Sequence, residues 1–427
     1  MRAEVIVRKL LEGAGRQIHA GRLAAVIEVV CAMTYAKHLS LTAIGRALRG
    51  TTGRHGIKKV DRLLGNCRLH RELVVLYRGL AKHLVGAQGR VVVLIDWTQI
   101  HGEFWALTAS VPFLGRSIPV LSRSYTEEQL GSRDAQTNFL DELRDILPAG
   151  ATPVIVADGG FRSPFFSACF RKGFYYVIRL RNDHSVVEFG MKGTREYERP
   201  SFDALFARAT DKARCLGGGL PYASSQHAVS ARIILGPRPP KAKKRRTYAN
   251  DYERKRACEP YLLATNLEND SAEVIVRIYA ARMQIEETFR DTKNPRFGWG
   301  LEYSKTRSTR RFDVLLMLAA LAFAAVALIG SAARELGHEP KFRARSGPGI
   351  ALSVFTLGAL VAASVRRVAI RFHAVWRQLK KARHIQRAFF PPITPPRSGG
   401  RNVRLPQSHA LFCVDCGWKG RSWGWPK

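Results

Sequence analysis

Acidic side chains are scarce in this chain relative to basic ones. Its 427 residues include 34 Asp and Glu against 69 Lys and Arg, which gives a formal net charge of +35. Such an imbalance fits a polyanionic partner, most simply DNA, although RNA and membrane surfaces also attract basic proteins. The length predicts two or three domains, and a hydrophobic content of 46% suffices for a buried core.

A disulfide framework and a long apolar run are also missing. The seven cysteines follow no framework spacing, which predicts a reducing cytoplasm. Cys413 and Cys416 form a close pair that would need two further ligands to hold zinc. Val314–Ile329 is the membrane candidate, but it is shorter than the roughly 20 residues that a span requires. We therefore predict a buried helix there, covering the sheet of the core, and no membrane partner.

Two aspartates follow short apolar, β-branched runs. Asp96 ends the run RVVVLID (90–96), and Asp158 ends PVIVAD (153–158), where Gly159 and Gly160 allow a sharp turn into a helix. Carboxylates at the ends of strands lie where α/β folds place their sites. The alternative for each aspartate is a helix N-cap or a turn residue.

A third carboxylate lies in the segment IYAARMQIEETFRDTKNPRFG (278–298). On one α-helix, the offsets from Tyr279 to Arg282, Glu286 and Lys293 fall within roughly 60° of one another, and Arg290 shares that stripe. The alternative is a surface helix with an Arg282–Glu286 ion pair. Three hard oxygen ligands among cations would suit Mg²⁺ or Mn²⁺ and phosphoryl transfer.

This pattern resembles the DDE transposases of bacterial insertion sequences, specifically the cut-and-paste group with a Tyr-Arg-Glu-Lys signature. The resemblance runs from about Leu39 to about Phe390. It includes LTAIGRALRG (41–50), KKVDRLLGN (58–66), IDWTQI (95–100), ASVPFLGRSIPV (109–120), ATNL (264–267) and RMQIEETFRDTKNP (282–295).

The resemblance implies a fold and a set of roles. The fold is an α/β, ribonuclease-H-like catalytic core with a β-rich insertion, preceded by an all-α DNA-binding domain. Asp96, Asp158 and Glu286 would be the catalytic residues and the ligands of two Mg²⁺ ions, for which Mn²⁺ would substitute. The DNA-binding residues on the signature segment would be Tyr279, Arg282, Arg290 and Lys293. The partners would be double-stranded DNA, as transposon ends and as target, and a second copy in a homodimeric DNA complex.

Tryptophan is absent between Asp158 and Glu286, where the hairpin-forming relatives place one that stacks on a flipped base. Tyr261 stands where that tryptophan would align, and its ring also offers a π-face for stacking. A DNA hairpin intermediate is therefore an expectation that depends on Tyr261. The alternative is that Tyr261 packs in the core.

Five segments follow from patterning and resemblance. They are a helical DNA-binding domain (1–88), the first part of the core (89–182), the insertion (183–265), the second part of the core (266–360), and a basic C-terminal helix and tail (361–427). The core should begin with three strands, then a helix, a strand, a helix and a strand.

Three basic stretches are candidates for DNA contact. Leu41–Leu48 and Ile57–Leu64 predict a helix–turn–helix whose second helix presents Lys58, Lys59 and Arg62. Lys241–Arg256 holds eight Lys and Arg, with Tyr248 and Tyr252 as stacking candidates, or forms a solvated loop. Val361–Phe390 predicts a basic amphipathic helix that binds DNA or another subunit.

The sequence thus predicts a bacterial, cytoplasmic, nucleoid-associated transposase that cuts DNA and joins it to a target. Two alternatives stay open. One is a catalytically inactive DNA-binding protein derived from a transposase, and the other is a simple hydrolytic nuclease on the same core. The intact carboxylate triad favours an enzyme, and the signature segment favours recognition of transposon ends.

Overall fold

The computed structural model describes residues 3–14, 17–181, 187–190, 197–239, 259–296, 298–343, 352–364, 370–390, 412–413 and 418–419. The chain divides into two compact units. Unit 1 comprises Met1–Thr152 and Ala281–Arg387, and unit 2 comprises Pro153–Ala280 and Ala388–Lys427. The predicted basic loop at 241–256 and most of the tail after residue 390 lie outside the described residues.

The chain begins with a helical N-terminal stretch, which is followed by both strands and helices. The helices are α1 (Ala3–Leu10), α2 (Ala20–Met33), α3 (Leu41–Ala47), α4 (Gly53–Leu64), α5 (Cys67–Val85), α6 (Arg133–Ile146), α7 (Ser163–Arg171), α8 (Phe202–Ala207), α9 (Ala272–Ala280), α10 (Met283–Lys293), α11 (Thr309–Glu335), α12 (Val354–Ala363) and α13 (Phe372–Ala388).

The strands form a mixed α/β architecture with these helices. They are β1 (Gln88–His101), β2 (Phe104–Phe113), β3 (Arg116–Thr126), β4 (Gly150–Ala157), β5 (Tyr175–Arg179), β6 (Val187–Gly190), β7 (Tyr197–Glu198), β8 (Arg214–Pro221), β9 (Ala231–Leu235), β10 (Leu262–Thr265), β11 (Phe412–Cys413) and β12 (Trp418–Lys419). The predicted order from β1 to β5, with α6 and α7 between strands, is present.

Helix α11 is the centre of the core of unit 1. It packs on β3 and contacts α2, α5 and α12. Its length and composition would allow it to cross a membrane, but 94% of its most apolar 18-residue window is buried. The prediction of a buried helix is confirmed, with bounds wider than Val314–Ile329. The crossing with α12 is close, since a Cβ atom on Gly330 would lie 1.8 Å from the carbonyl oxygen of Val354.

The N-terminal helices α1 to α5 belong to the same unit as β1, β2 and β3. Helices α2 and α5 contact α11, so they bury their apolar faces on the same core as the sheet. Ser40 caps α3 as expected, accepting a hydrogen bond from the backbone of Ala43. Helix α4 begins at Gly53, four residues before the predicted Ile57, because Thr52 supplies its N-cap.

A buried acidic residue ties four elements of unit 1 together. Asp313 of α11 accepts hydrogen bonds from the backbone nitrogen and the hydroxyl of Ser124 on β3, both at 2.7 Å. Its other oxygen lies 3.2 Å from Nε2 of His70 on α5 and 3.6 Å from Nη1 of Arg123 on β3. Arg123 in turn pairs with Glu142 on α6. A buried carboxylate with this many partners is satisfied, and removing it leaves those partners with unpaired polar groups.

We expect Asp313→Ala to lower the free energy of unfolding by about 3 kcal/mol, since breaking a buried hydrogen-bonded ion pair leaves uncompensated polar groups. Urea denaturation followed by circular dichroism measures the change. The control is Asp61→Ala, whose side chain is 55% exposed and pairs with Arg311 at the start of the same helix. An exposed pair contributes less than about 1 kcal/mol, so equal destabilisation of the two variants would contradict the buried network.

Unit 2 is built on a large sheet with the strand order β4-β5-β10-β9-β8-β6-β7. Strands β4 and β5 are parallel, and the other neighbouring pairs are antiparallel. The strands of the predicted insertion therefore extend the sheet that contains β5, because β10 pairs directly with β5. Strands β7 and β8 and helix α8 were not predicted; β8 contains three consecutive glycines (Gly217 to Gly219), which carry no hydrophobic pattern.

Candidate active site

Asp96 lies inside a long strand and not at its end. The prediction that the strand stops at Asp96 is wrong: β1 continues to His101, and Asp96 pairs with Thr108 of β2. The strand continues beyond Asp96 because the backbone of Thr98, Gln99 and His101 still finds partners on β2, with a register shift at Ile100. The Asp96 side chain is 16% exposed, and its Oδ1 accepts a hydrogen bond from the backbone of Trp97 at 2.9 Å.

One guanidinium joins two of the predicted catalytic carboxylates. Nη1 of Arg282 donates to Oδ2 of Asp96 at 3.2 Å, and Nη2 donates to Oε1 of Glu286. Arg282 is 12% exposed, whereas Glu286 is 39% exposed. The predicted Arg282–Glu286 pair is therefore present, but it includes Asp96 from a strand 186 residues away. The guanidinium and Asp96 are largely buried, whereas Glu286 is partly exposed, and the three side chains together carry one positive and two negative charges.

Helix α10, which carries Glu286, is held by the hairpin between β2 and β3. The side chain of Gln284 accepts a hydrogen bond from the backbone of Phe113 at 3.1 Å. Thr288 accepts one from the backbone of Ser117 at 2.8 Å. These bonds satisfy backbone groups at the hairpin and set the position of the helix relative to β2 and β3.

An ion pair adds to this attachment. Nε of Arg116 donates to Oδ2 of Asp291 at 2.5 Å, and Arg116 also lies 3.6 Å from Glu287. Burial raises the pKa of Asp291, and Arg116 opposes that shift. Sequence reasoning did not assign these roles, although both partners lie in the segments ASVPFLGRSIPV and RMQIEETFRDTKNP that carry the family resemblance.

The signature segment is not one continuous helix. Helix α9 ends at Ala280 in unit 2, and α10 starts at Met283 in unit 1, so the expectation of one stripe from Tyr279 to Lys293 is wrong. The backbone of Ile285 bonds to the carbonyl of Arg282, three residues back, which marks the start of a new helix. Arg282, Glu286 and Lys293 keep their helical spacing on α10.

The two other cations of the segment differ in exposure and contacts. Lys293 ends α10, and its Nζ lies 3.4 Å from the backbone carbonyl of Gln99 on β1. Arg290 is 65% exposed and pairs with Glu287. Lys293 is therefore directed toward the strand that carries Asp96, whereas Arg290 is directed toward solvent.

Asp158 occupies a turn in unit 2, directly after β4. Its Oδ2 accepts a hydrogen bond from Nη2 of Arg181 at 2.8 Å, and its Oδ1 accepts one from the backbone of Gly160 at 2.8 Å. Gly159 is required by close approach, because a Cβ atom there would lie 2.4 Å from the Arg181 side chain. The predicted turn is confirmed, and Asp158, like Asp96, has an arginine partner.

The two tyrosines singled out in the sequence meet in unit 2. The rings of Tyr261 and Tyr279 pack edge to face with their centroids 4.9 Å apart. Tyr279 is only 3% exposed, whereas Tyr261 is half-buried and has the guanidinium of Arg179 5.3 Å above its ring. Tyr261 thus already has aromatic and cationic neighbours in the absence of DNA.

The predicted recognition helix α4 packs closely on α3. A Cβ atom on Gly56 would lie 2.1 Å from the carbonyl oxygen of Gly45, so both glycines serve this contact. Lys58 and Arg62 are exposed on α4. Lys59 is 42% exposed and pairs with Glu28 of α2.

Carboxylates that share a cation are a donor set that suits a hard divalent metal. Asp96 and Glu286 already share the guanidinium of Arg282, so the chemistry of these residues fits Mg²⁺ or Mn²⁺. Among the residues that the structure describes, no three His, Cys, Asp or Glu side chains form a group that could hold a metal ion. The assignment of all three carboxylates as ligands stays a prediction.

Asp96 on strand β1 and Glu286 on helix α10 share one guanidinium in a mixed α/β chain, and comparison with known families shows which class of proteins has this architecture. A family model described as "Transposase DDE domain" matches residues 87–323, which is more than half of the chain. The protein therefore belongs to the DDE transposases, a family of enzymes that cleave DNA and transfer its strands. The mixed architecture and the large sheet are consistent with a ribonuclease-H-like domain of that family. Comparison with curated proteins finds no match.

We expect Arg282→Gln to bind Mn²⁺ more tightly than the wild type when DNA is absent. The guanidinium competes for Asp96 and Glu286 and repels a divalent cation, so its removal should strengthen binding about tenfold, or ~1.4 kcal/mol. Isothermal titration calorimetry with MnCl₂ measures the change. Arg290→Gln is the control, because Arg290 lies on the same helix but is 65% exposed and pairs with Glu287. Equal Mn²⁺ affinity in the two variants would exclude competition by Arg282.

Proposed function

We propose that this protein is the transposase of a bacterial insertion sequence, of the cut-and-paste group with the Tyr-Arg-Glu-Lys signature. It would bind the repeats at the transposon ends, cleave the DNA with Mg²⁺ through a hairpin intermediate, and join the ends to target DNA. Membership in the DDE transposase family supports the reaction class. The observation that carries the proposal is the cluster in which Arg282 joins Asp96 and Glu286.

Asp96, Asp158 and Glu286 would hold the metal, for which Mn²⁺ could substitute. Bound metal would activate the attacking oxygen and stabilise the leaving oxygen of phosphoryl transfer. Asp96 and Asp158 each have an arginine partner, so each lies where a positive charge is accommodated. Each carboxylate would exchange its guanidinium for the metal.

Arg282 has a second role in this proposal. A guanidinium released from Asp96 and Glu286 has five donors in a fork that matches a phosphate. It would then bind the backbone phosphate at the transposon end, together with Lys293 and Arg290. Tyr279, which packs against Tyr261, would support the contact with the phosphate.

Helices α3 and α4 would recognise the end sequence as a helix–turn–helix. The close approach of Gly45 and Gly56 makes a rigid pair, and it leaves Lys58 and Arg62 exposed. Lys59 would bind DNA only by leaving Glu28. A major-groove contact through the exposed face of α4 agrees with this arrangement.

Coordinated cutting of two ends would require a homodimer in the DNA complex. The chain would act in the bacterial cytoplasm, associated with the nucleoid. A large positive charge supports contact with a long stretch of DNA.

A strand-transfer assay with cloned terminal repeats and a supercoiled target separates the proposal from its alternatives. Excision and joining in Mg²⁺ at the repeats would support a transposase. Binding of the repeats without cleavage would indicate an inactive DNA-binding protein. Cleavage without preference for the repeats and without joining would indicate a simple hydrolytic nuclease.

A further inference from the structure

Helix α13 carries a regular row of basic side chains. His373, Arg377, Lys380, His384 and Arg387 follow one another at intervals of four, three, four and three residues, and all five are exposed. At about 100° per residue these positions fall within about 80° of one another, and they span about 21 Å of helix. We call these five residues the basic stripe.

The opposite face of α13 is attached to the core of unit 1. Gln386 accepts a hydrogen bond from the backbone of Val92 on β1 at 3.0 Å, and Gln378 accepts one from Ser331 on α11 at 2.7 Å. Ala374, Val375 and Leu379 are buried on the same face. The basic stripe is therefore presented by a helix that is anchored to the strand carrying Asp96.

Charge compensation along the basic stripe is small. Helix α13 contains no Asp or Glu. Glu335 of α11 lies 3.3 Å from Arg377 and 4.0 Å from Lys381 at the margin of the stripe. Arg377, Lys380 and Arg387 place three cations along the stripe, and such a row attracts a polyanion along its length.

We propose that the basic stripe binds the phosphate backbone of duplex DNA without reading its sequence, in addition to the contacts proposed for α4 and for the carboxylate cluster. The occupant is DNA because its phosphates form a regular row of negative charge that complements the stripe. A second copy of this chain is a poorer occupant, since a two-fold contact through the stripe would bring like charges together. The proposal goes beyond the recognition and cleavage of transposon ends.

The test uses the full-length protein and a 40-bp duplex of random sequence, without divalent metal. Fluorescence anisotropy gives the Kd between about 50 and 300 mM KCl. We expect Arg377→Gln/Lys380→Gln/Arg387→Gln to bind at least tenfold more weakly than the wild type at low salt. Its log–log salt slope should be shallower by about 2 to 3, since each phosphate that a cation neutralises adds about 0.9 to the slope.

Two controls isolate the position of the charges. Arg78→Gln/Arg133→Gln/Arg144→Gln removes the same net charge from an exposed region that also carries Asp134, Asp141 and Asp145. It should change the slope by less than 1. Arg377→Lys/Lys380→Arg/Arg387→Lys changes the same three side chains but keeps their charge, and it should bind like the wild type. This result would show that weak binding of the triple Gln variant at these positions comes from lost charge and not from misfolding.

Removing the neighbouring carboxylate should act in the opposite direction. We expect Glu335→Gln to strengthen binding to the random duplex several-fold, because Arg377 and Lys381 would no longer face an acidic partner.

Equal weakening in the two triple Gln variants would show that net charge alone matters and would overturn the proposal. An unchanged salt slope in the basic-stripe variant, with a shift in oligomeric state by light scattering, would assign the stripe to a second copy instead. Failure of the strand-transfer assay would leave this result untouched, because the random duplex contains no terminal repeat and needs no cleavage.

Discussion

Asp96→Ala, Asp158→Ala and Glu286→Ala are each expected to abolish cleavage while leaving binding of the transposon ends intact. If these carboxylates hold the metal as proposed, losing one removes several kcal/mol of transition-state stabilisation, which corresponds to about 10³-fold or more in rate. The basic surfaces that we propose to bind DNA remain in all three variants. A gel-shift assay paired with a cleavage assay in Mg²⁺ measures both properties on the same preparation.

Glu287→Ala is the matched control for this series. Glu287 is the next residue on α10, is 26% exposed, and pairs with Arg290 and Arg116 instead of Arg282. It should cleave at close to the wild-type rate. A carboxylate whose alanine variant still nicks DNA normally would lose its place in the proposed triad.

Tyr261→Ala is expected to leave the first nick nearly normal and to slow hairpin formation by roughly 10- to 100-fold. Stacking of an aromatic side chain on a base contributes about 1–3 kcal/mol, and each 1.4 kcal/mol is about a factor of ten. The half-buried ring beneath Arg179 retains some access to solvent, unlike that of Tyr279. A denaturing gel that resolves nicked, hairpin and broken products over time provides the measurement.

The structure also defines how the alternative, a packing role for Tyr261, would be recognised. Its ring packs on Tyr279, so the alanine variant would disturb that contact whatever the role in DNA binding. Tyr261→Phe and Tyr261→Trp preserve an aromatic ring and should both form hairpins. If Tyr261→Ala impairs nicking and hairpin formation equally, together with thermal stability, the residue serves packing.

Several elements of the fold were predictable because their signals are local. The apolar runs at 90–95 and 153–157 predicted β1 and β4, and the run at 314–329 predicted the buried part of α11. Ser40 predicted the start of α3, because an N-cap serine bonds to a backbone nitrogen three residues ahead. The turn after Asp158 followed from two consecutive glycines.

Other predicted boundaries of strands and helices are wrong, because the local sequence pattern does not decide where these elements end. Residues Thr98–His101 contain one apolar side chain, Ile100, and so no apolar run, yet they continue β1 because β2 supplies hydrogen-bond partners. The helical periodicity from Tyr279 to Lys293 continues across a break at Ala281 and Arg282 that contains neither glycine nor proline. Periodicity alone therefore predicted one helix where the chain forms two.

The sequence by itself determined which residues could do the chemistry: three carboxylates, their nearby cations and a strongly basic surface, all of which are chemical properties of residue types and short spacings. Only the tertiary structure decided which of them meet. Arg282 joins Asp96 to Glu286, Thr288 attaches α10 to Ser117, and Asp313 binds Ser124, across 186, 171 and 189 residues of chain. Such pairings depend on how strands and helices pack, and no local propensity encodes contacts at that separation.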